Sequence, residues 1–180
     1  MNTRADIVVV GAGAAGIAAA VSAARAGAKT LLLDQRPAAG GTGGFSGLTT
    51  ICGLYDDAGK FLNAGFTREF AELLAEAGAP IKMGRVWVLQ YRPERFREVA
   101  DYLVSAGPNL HAQWNTRLAD VTLEAGRITR INGISVGAVI DCSGTAEVAR
   151  AVGAECLATD ETTQASAIVF EGNGHINPPV

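Results

Sequence analysis

Apolar and polar positions alternate along the chain in blocks that switch between strand and helix spacing. Ile7, Val8, Val9 and Val10 form an unbroken β-branched run that predicts a buried parallel strand. Residues 14–26 are built mainly from Ala, with Val and Ile, and predict a helix, with Gly27 placed to stop it. Thr30, Leu31, Leu32 and Leu33 then predict a second buried strand, ending at Asp34. Phe66, Phe70, Leu73, Leu74 and Ala77 predict an amphipathic helix over residues 66–77. Phe96, Val99, Ala100, Leu103 and Val104 predict another over residues 93–106, with Pro93 in its first turn. Residues 86–89 between them read as a short apolar strand.

Further on, Val121, Leu123, Ile128 and Ile131 alternate on either side of Glu124-Ala125-Gly126-Arg127, which predicts a hairpin over residues 119–134. Residues 138–141 read as a strand, followed by a helix running through Val148 and Val152 that Ser143 or Thr145 would cap. Residues 165–170 read as one more strand. Helices alternating with apolar strands predict an α/β fold with a mostly parallel sheet.

The first strand runs into Gly11-Ala12-Gly13-Ala14-Ala15-Gly16, and here the pattern acquires chemistry. Gly11 permits a tight turn off the strand, Gly13 leaves room for a pyrophosphate, and Gly16 allows close packing of the helix. Phosphates would then face the free N–H groups and positive end of the helix at Ala14 and Ala15. Asp34 lies 23 positions after Gly11 (34 − 11), where a carboxylate can accept ribose hydroxyls. Strand, glycine turn, helix, strand and acid together predict a dinucleotide-binding βαβ unit.

Gln35-Arg36-Pro37-Ala38-Ala39 and the cluster Gly40-Gly41-Thr42-Gly43-Gly44 bear on which dinucleotide. An arginine here could hold the 2′-phosphate of NADP, but Asp34 would repel it. The acid followed by a Gly-Gly-Thr segment resembles the FAD-dependent oxidoreductases with a glutathione-reductase-like nucleotide-binding domain, in which such a segment runs along the cofactor. The β-meander after Trp114-Asn115-Thr116-Arg117-Leu118 is similar to that family, and Cys142-Ser143-Gly144-Thr145 matches its Ala-Thr-Gly-Asp-like strand end in part.

The resemblance spans roughly residues 5–170. It implies a Rossmann-like FAD/NAD(P)-binding domain with helices on both sheet faces and an inserted β-meander. FAD is the implied cofactor, at Gly11, Gly13, Ala14, Ala15, Gly16, Asp34, Gln35, Arg36, Gly41, Thr42, Leu118, Ser143 and Gly144. It also implies a nucleotide-binding domain over residues 1–160 and the start of a substrate domain over residues 161–180. Members of this group return after the substrate domain with a segment, often carrying a Gly-Asp pair, that completes the flavin site. A missing C-terminal half or a second chain is therefore expected to complete it here.

Composition narrows the setting. The chain has 180 residues, 48% apolar and 18% charged, enough to bury a real core. A net charge of −3 argues against a nucleic-acid partner. The glycine-interrupted opening reads as neither a signal peptide nor a membrane helix. Cys52, Cys142 and Cys156 are odd in number and lack zinc-site spacing, so no metal is expected and a reducing cytoplasm fits.

Residues 45–55, from Phe45 to Tyr55, are expected to pass near the flavin ring. Cys52 reads as a small hydrophobe rather than a redox thiol, and Tyr55 as packing rather than a proton donor. Asp56-Asp57 reads as a solvated turn. His111 and His175 lack a second residue to orient them. No catalytic residue is assigned. The expected function is flavin-mediated hydride or electron transfer from a small-molecule substrate. An NAD(P)-binding dehydrogenase domain, or an inactive or partner-dependent flavoprotein subunit, stands as the alternative.

Overall fold

A computed structural model describes residues 4–156. Strand β1 (Arg4–Val10), helix α1 (Ala14–Arg25) and strand β2 (Thr30–Leu33) form the expected βαβ unit, with the strands parallel from Ile7 opposite Thr30 to Val10 opposite Leu33. Helix α1 buries Gly16, Ile17, Ala20, Val21 and Ala24, one face of small side chains that lets it sit low on the sheet. Gly27, at φ +92°, reverses the chain just past its end.

Three elements follow before the chain returns to this sheet. Helix α2 (Gly41–Phe45) is a single turn, β3 (Thr50–Ile51) is a short strand, and α3 (Phe66–Leu74) is amphipathic. Helix α3 ends at Leu74 rather than Ala77. Leu74 is its last fully buried side chain, Ala75 is extended, and the Glu76 carboxylate accepts a hydrogen bond from Arg92 at 2.8 Å. Strand β5 (Val86–Gln90) pairs with β3 on one side and β4 (Ile81–Met83) on the other in a separate antiparallel sheet, order β3-β5-β4.

Helix α4 (Pro93–Ser105) buries all five residues that its periodicity singled out, and leads into β6 (Leu110–Gln113), parallel to β2. Strands β7 (Val121–Glu124), β8 (Arg127–Ile131) and β9 (Ile134–Asp141) form the meander. The six-stranded order is β6-β2-β1-β9-β8-β7. Sequence reading separated a hairpin from the strand at residues 138–141, whereas one strand serves both. Its first residues pair with β8, across a turn at Asn132 and Gly133 with positive φ, and the rest runs parallel to β1 up to Val10 opposite Asp141.

The two sheet faces are covered unequally. Val9 and Leu32 pack against α1, α3 and α4, including Ile17, Leu74 and Phe96. Val8, Val10, Leu31 and Leu33 pack against Ile131 of the meander and Val148 of the short helix α5 (Glu147–Ala151). Helices therefore lie on both faces, with the meander doing most of the covering on the second. The expected strand at residues 165–170, the boundary at 160/161 and His175 lie outside the described residues.

Candidate functional site

The C-terminal ends of β1, β2 and β9 meet at the glycine turn. Gly11 has φ +99°, and a side chain there would overlap the Cys142 carbonyl and stand 2.8 Å from Ser143 Cα. Gly16 is required for a different reason from the one expected. A Cβ there would overlap the Gly11 carbonyl oxygen, so helix and loop interlock, while the nearest sheet-end atom, Cys142 Cβ, would stand at 3.3 Å. Gly13 differs from both. A Cβ at that position would meet only Gly41 Cα, at 3.8 Å. Ala14 and Ala15 are exposed in the first turn of α1, whose N–H groups have no intrahelical partner.

Asp34 is buried and grips backbone. One carboxylate oxygen accepts the Ala12 N–H at 2.6 Å, and the other accepts the Arg36 N–H at 2.7 Å. These bonds lock the glycine loop to the end of β2 and leave lone pairs free on a carboxylate that can accept about four bonds. Residues 114–118 run beside this corner. The Thr116 N–H donates to the Asp34 carbonyl at 2.9 Å, and the Asn115 N–H to that of Arg36 at 3.0 Å. A cleft of about 180 Å³ results, lined by Gly11, Asp34, Gln35, Arg36, Leu118 and Ser143. A wider crevice of about 520 Å³ continues past Gln35 and Leu118 toward Arg150.

The second glycine cluster docks directly on the first. The Gly40 N–H donates to the Ala12 carbonyl at 2.9 Å, and a Cβ on Gly41 would stand 2.5 Å from Gly13 Cα. Thr42 is exposed on the same turn. The cluster is helical rather than an open run, and its glycines face protein. Gly43 lies against the Phe96 ring and Gly44 against the Arg97 stem. Tyr91 Oη donates to the Gly43 carbonyl at 3.2 Å and Arg97 donates to that of Gly44, while burial raises the Tyr91 pKa. Arg97 and Arg36 both approach the Phe45 ring, at 5.4 and 5.6 Å from its centroid.

Sequence reasoning missed Tyr91 and Arg97, because contacts 48 and 53 positions away in the chain leave no periodic trace.

At the end of β9 the capping residue is chiefly Asp141. Its carboxylate accepts the N–H groups of Val148 and Ala149 at 2.9 and 3.1 Å. Ser143 also accepts the Glu147 N–H, at 2.9 Å, whereas Thr145 takes no backbone N–H and approaches only the Glu147 carboxylate, at 3.4 Å. Burial pushes the Asp141 pKa up, but hydrogen bonds from Ser143, Ala149 and Val148 outweigh it and hold the group below its usual value. Gly144, at φ +78°, is exposed on the loop beside Ser143 and is not part of the cleft lining. Burial, and then the neighbouring Asp141, raise the Cys142 pKa.

None of the other candidates lines the cleft or the crevice beside it. Cys52 is exposed. Tyr55 stacks edge-on to Phe61 at 5.3 Å, and burial raises its pKa. Asp56 forms the expected turn, accepting the N–H groups of Ala58 and Lys60. His111 is exposed on β6. Among the described residues, no cluster of His, Cys, Asp or Glu could hold a metal ion, and no helix is long and apolar enough to cross a membrane.

Comparison with known proteins agrees with this architecture. Over 42 residues the chain is 57% identical to the sarcosine oxidase subunit alpha of Corynebacterium sp. (strain U-96), a stretch covering 23% of this chain and 4% of that protein. The fold is similar to Aquifex aeolicus GidA, with TM-score 0.56, 23% identity, and coverage of 77% of this chain and 25% of that one. It is also similar to Thermovibrio ammonificans THI4, with TM-score 0.57, 14% identity, and coverage of 86% and 65%. A family model described as FAD dependent oxidoreductase matches residues 6–175. The chain belongs to the FAD-dependent oxidoreductases, a flavoprotein family with a Rossmann-type nucleotide-binding fold and FAD as cofactor.

Proposed function

We propose that this chain is the FAD-holding part of an oxidoreductase that passes hydride or electrons from a small-molecule substrate through the flavin. The residues present fit that cofactor. Gly13, Ala14, Ala15 and Gly16 would turn backbone N–H groups toward the pyrophosphate, while Gly11, whose N–H donates to the Leu33 carbonyl at 2.7 Å, would shape the turn beside it. Asp34 would meet the ribose, and Gln35, Arg36 and Leu118 the adenosine side of the cleft. Gly41 and Thr42, with Ser143 and Gly144, would flank the chain leading toward the flavin. FAD supplies the redox chemistry when bound, and the protein orients it and limits access of water.

The observation that carries this reading is the space at Gly13. Gly11, Gly16 and Gly41 are each explained by contacts within the protein, whereas the room beside Gly13 is needed by none of them. A backbone left bare at a helix N-terminus, next to a buried carboxylate, suits a nucleotide diphosphate.

Residues 1–160 would form the nucleotide-binding domain, and the substrate-handling part would lie outside them, in further chain from residue 161 onward or in a second chain. The chain spans only 4% of the sarcosine oxidase subunit and 25% of the GidA chain it matches. The word subunit in the first of those names supports a multi-chain enzyme.

The test is Gly13→Ala. Gly13 has φ −77°, which alanine adopts freely. The variant should unfold within about 0.5 kcal/mol of the parent, yet bind FAD at least about tenfold more weakly by flavin fluorescence quenching. A parent chain that gains no melting temperature with FAD, or that prefers NADH in competition, would refute the assignment.

A further inference from the structure

Residues 115–120 lead from β6 to β7 as a strap without regular structure. Its first end is tied to the nucleotide corner, where the Asn115 and Thr116 N–H groups donate to the Arg36 and Asp34 carbonyls. From there the strap forms a wall. Arg117 and Leu118 line the cleft of about 180 Å³, and Arg117, Leu118, Ala119 and Asp120 line the crevice of about 520 Å³ that continues it.

The second end of the strap is held by one residue on the turn between β8 and β9. Asn132 Oδ1 accepts the N–H groups of Ala119 and Asp120 at 2.9 and 3.1 Å, and Asn132 Nδ2 donates to the Arg117 carbonyl at 2.9 Å. The Asn132 backbone N–H adds a bond to the Asp120 carbonyl at 2.9 Å. Among the described residues, the backbone of 117–120 makes no other hydrogen bond within the chain. Two donors facing one end of the amide and an acceptor facing the other admit a single orientation.

Turn chemistry does not account for these bonds. Asn132 and Gly133 have φ +48° and +75°, and Asn-Gly suits such a turn on backbone grounds alone. Glycine or aspartate would serve the backbone too. What asparagine adds over both is a side chain that accepts N–H groups and donates to a carbonyl at once. Asn132 lines neither the cleft nor the crevice, so it would reach a ligand only through the strap.

We propose that Asn132 is a positioning residue of the nucleotide site, fixing the wall of residues 117–120 against which the adenosine end of the ligand binds. This rests on the reading above, in which Leu118 meets the adenosine side of FAD. A strap released from Asn132 would have to be ordered when the nucleotide binds, and that entropic cost would weaken binding without removing any ligand contact.

The test begins with Asn132→Gly, which keeps the left-handed turn and deletes the bonds made by the side chain. FAD and ADP are each titrated into the full chain well below its melting temperature, where a loss of stability leaves the folded fraction unchanged. Both ligands should bind about fivefold more weakly or worse. Asn132→Asp keeps an acceptor for Ala119 and Asp120 but sets oxygen against the Arg117 carbonyl. It should lose about two- to threefold, and it carries the comparison if Asn132→Gly does not fold. Combined with Leu118→Ala, the loss from Asn132→Gly should be less than additive, because both act on one wall. In the ligand-free protein, the Ala119 and Asp120 amides of Asn132→Gly should exchange hydrogen at least about tenfold faster.

Unchanged ADP affinity in the Asn132 variants overturns the proposal, as does strict additivity with Leu118→Ala or unchanged exchange at Ala119 and Asp120. A parent chain that binds ADP but not FAD refutes the flavin assignment alone, and the ADP comparison still decides the role of Asn132. A parent that binds neither refutes both.

Discussion

The Asp34 carboxylate accepts the backbone N–H of Ala12 at 2.6 Å, joining the end of β2 to the middle of the glycine loop. Ala12 is fully buried, so that N–H has no water to turn to. Asp34→Ala should therefore destabilise the fold by about 2–3 kcal/mol, the cost of an orphaned buried donor plus a lost charged hydrogen bond. Asp34→Asn, which retains one acceptor oxygen, should cost roughly half as much. Urea unfolding in the absence of FAD checks both. An Asp34→Ala protein that kept full stability and lost only FAD affinity would mean that the acid serves the ligand and not the loop.

Gly16 and Gly11 admit no side chain between them. A methyl group on Gly16 would overlap the Gly11 carbonyl oxygen, and neither backbone can move without disturbing α1 or β1. Gly16→Ala should destabilise the apo-protein by about 1–3 kcal/mol or more, in contrast to the near-neutral Gly13→Ala. Thermal unfolding of the two variants side by side tests the distinction between a glycine kept for folding and one kept for a ligand.

Gly43 poses a different packing constraint. A Cβ there would stand 2.7 Å from Phe96 Cζ, and Phe96 is itself buried. Gly43→Ala should cost about 1–3 kcal/mol by overpacking. Phe96→Leu removes the offending ring at the expense of a cavity, so the double variant should be more stable than the two single losses added together. Strict additivity in the denaturant midpoints would show that ring and glycine do not compete for the same space.

The parts legible in sequence were those set by local spacing. The βαβ unit, α4 and the hairpin turn each follow a single period between clear stop signals, and Phe96 through Val104 are buried in register. Gly11 and Asp34 were legible because a strand, a turn and a carboxylate at fixed separation leave few geometries. What escaped depends on contacts between distant segments. Nothing beside Gly43 in the sequence announces Phe96, and nothing beside Gly44 announces Arg97. The fusion of hairpin and strand in β9 was hidden by Gly137, whose missing side chain breaks the apolar alternation. A Cβ there would stand 2.7 Å from the Asp6 carbonyl, so the glycine serves the close approach of β9 to β1.

Asp141 gives the fold a pH dependence whose sign follows from its hydrogen bonds. Burial opposes its ionisation, but the N–H groups of Ser143, Ala149 and Val148 and the Ser143 hydroxyl favour the charged form and hold its pKa below the ordinary 3.8. A carboxylate depressed in the folded state contributes stability that is present above the unfolded value and lost as pH falls through the folded one. The group is exposed, so solvent screening keeps the effect small. Asp141→Ala, which removes the cap of α5, should cost about 1 kcal/mol at neutral pH. Asp141→Asn should cost less, because an amide oxygen still accepts one N–H, and it cannot titrate. Chemical unfolding from neutral pH down to about pH 3 should show the gap between parent and Asp141→Asn closing below about pH 4. A gap that held constant or widened on acidification would show that the Asp141 cap does not depend on ionisation.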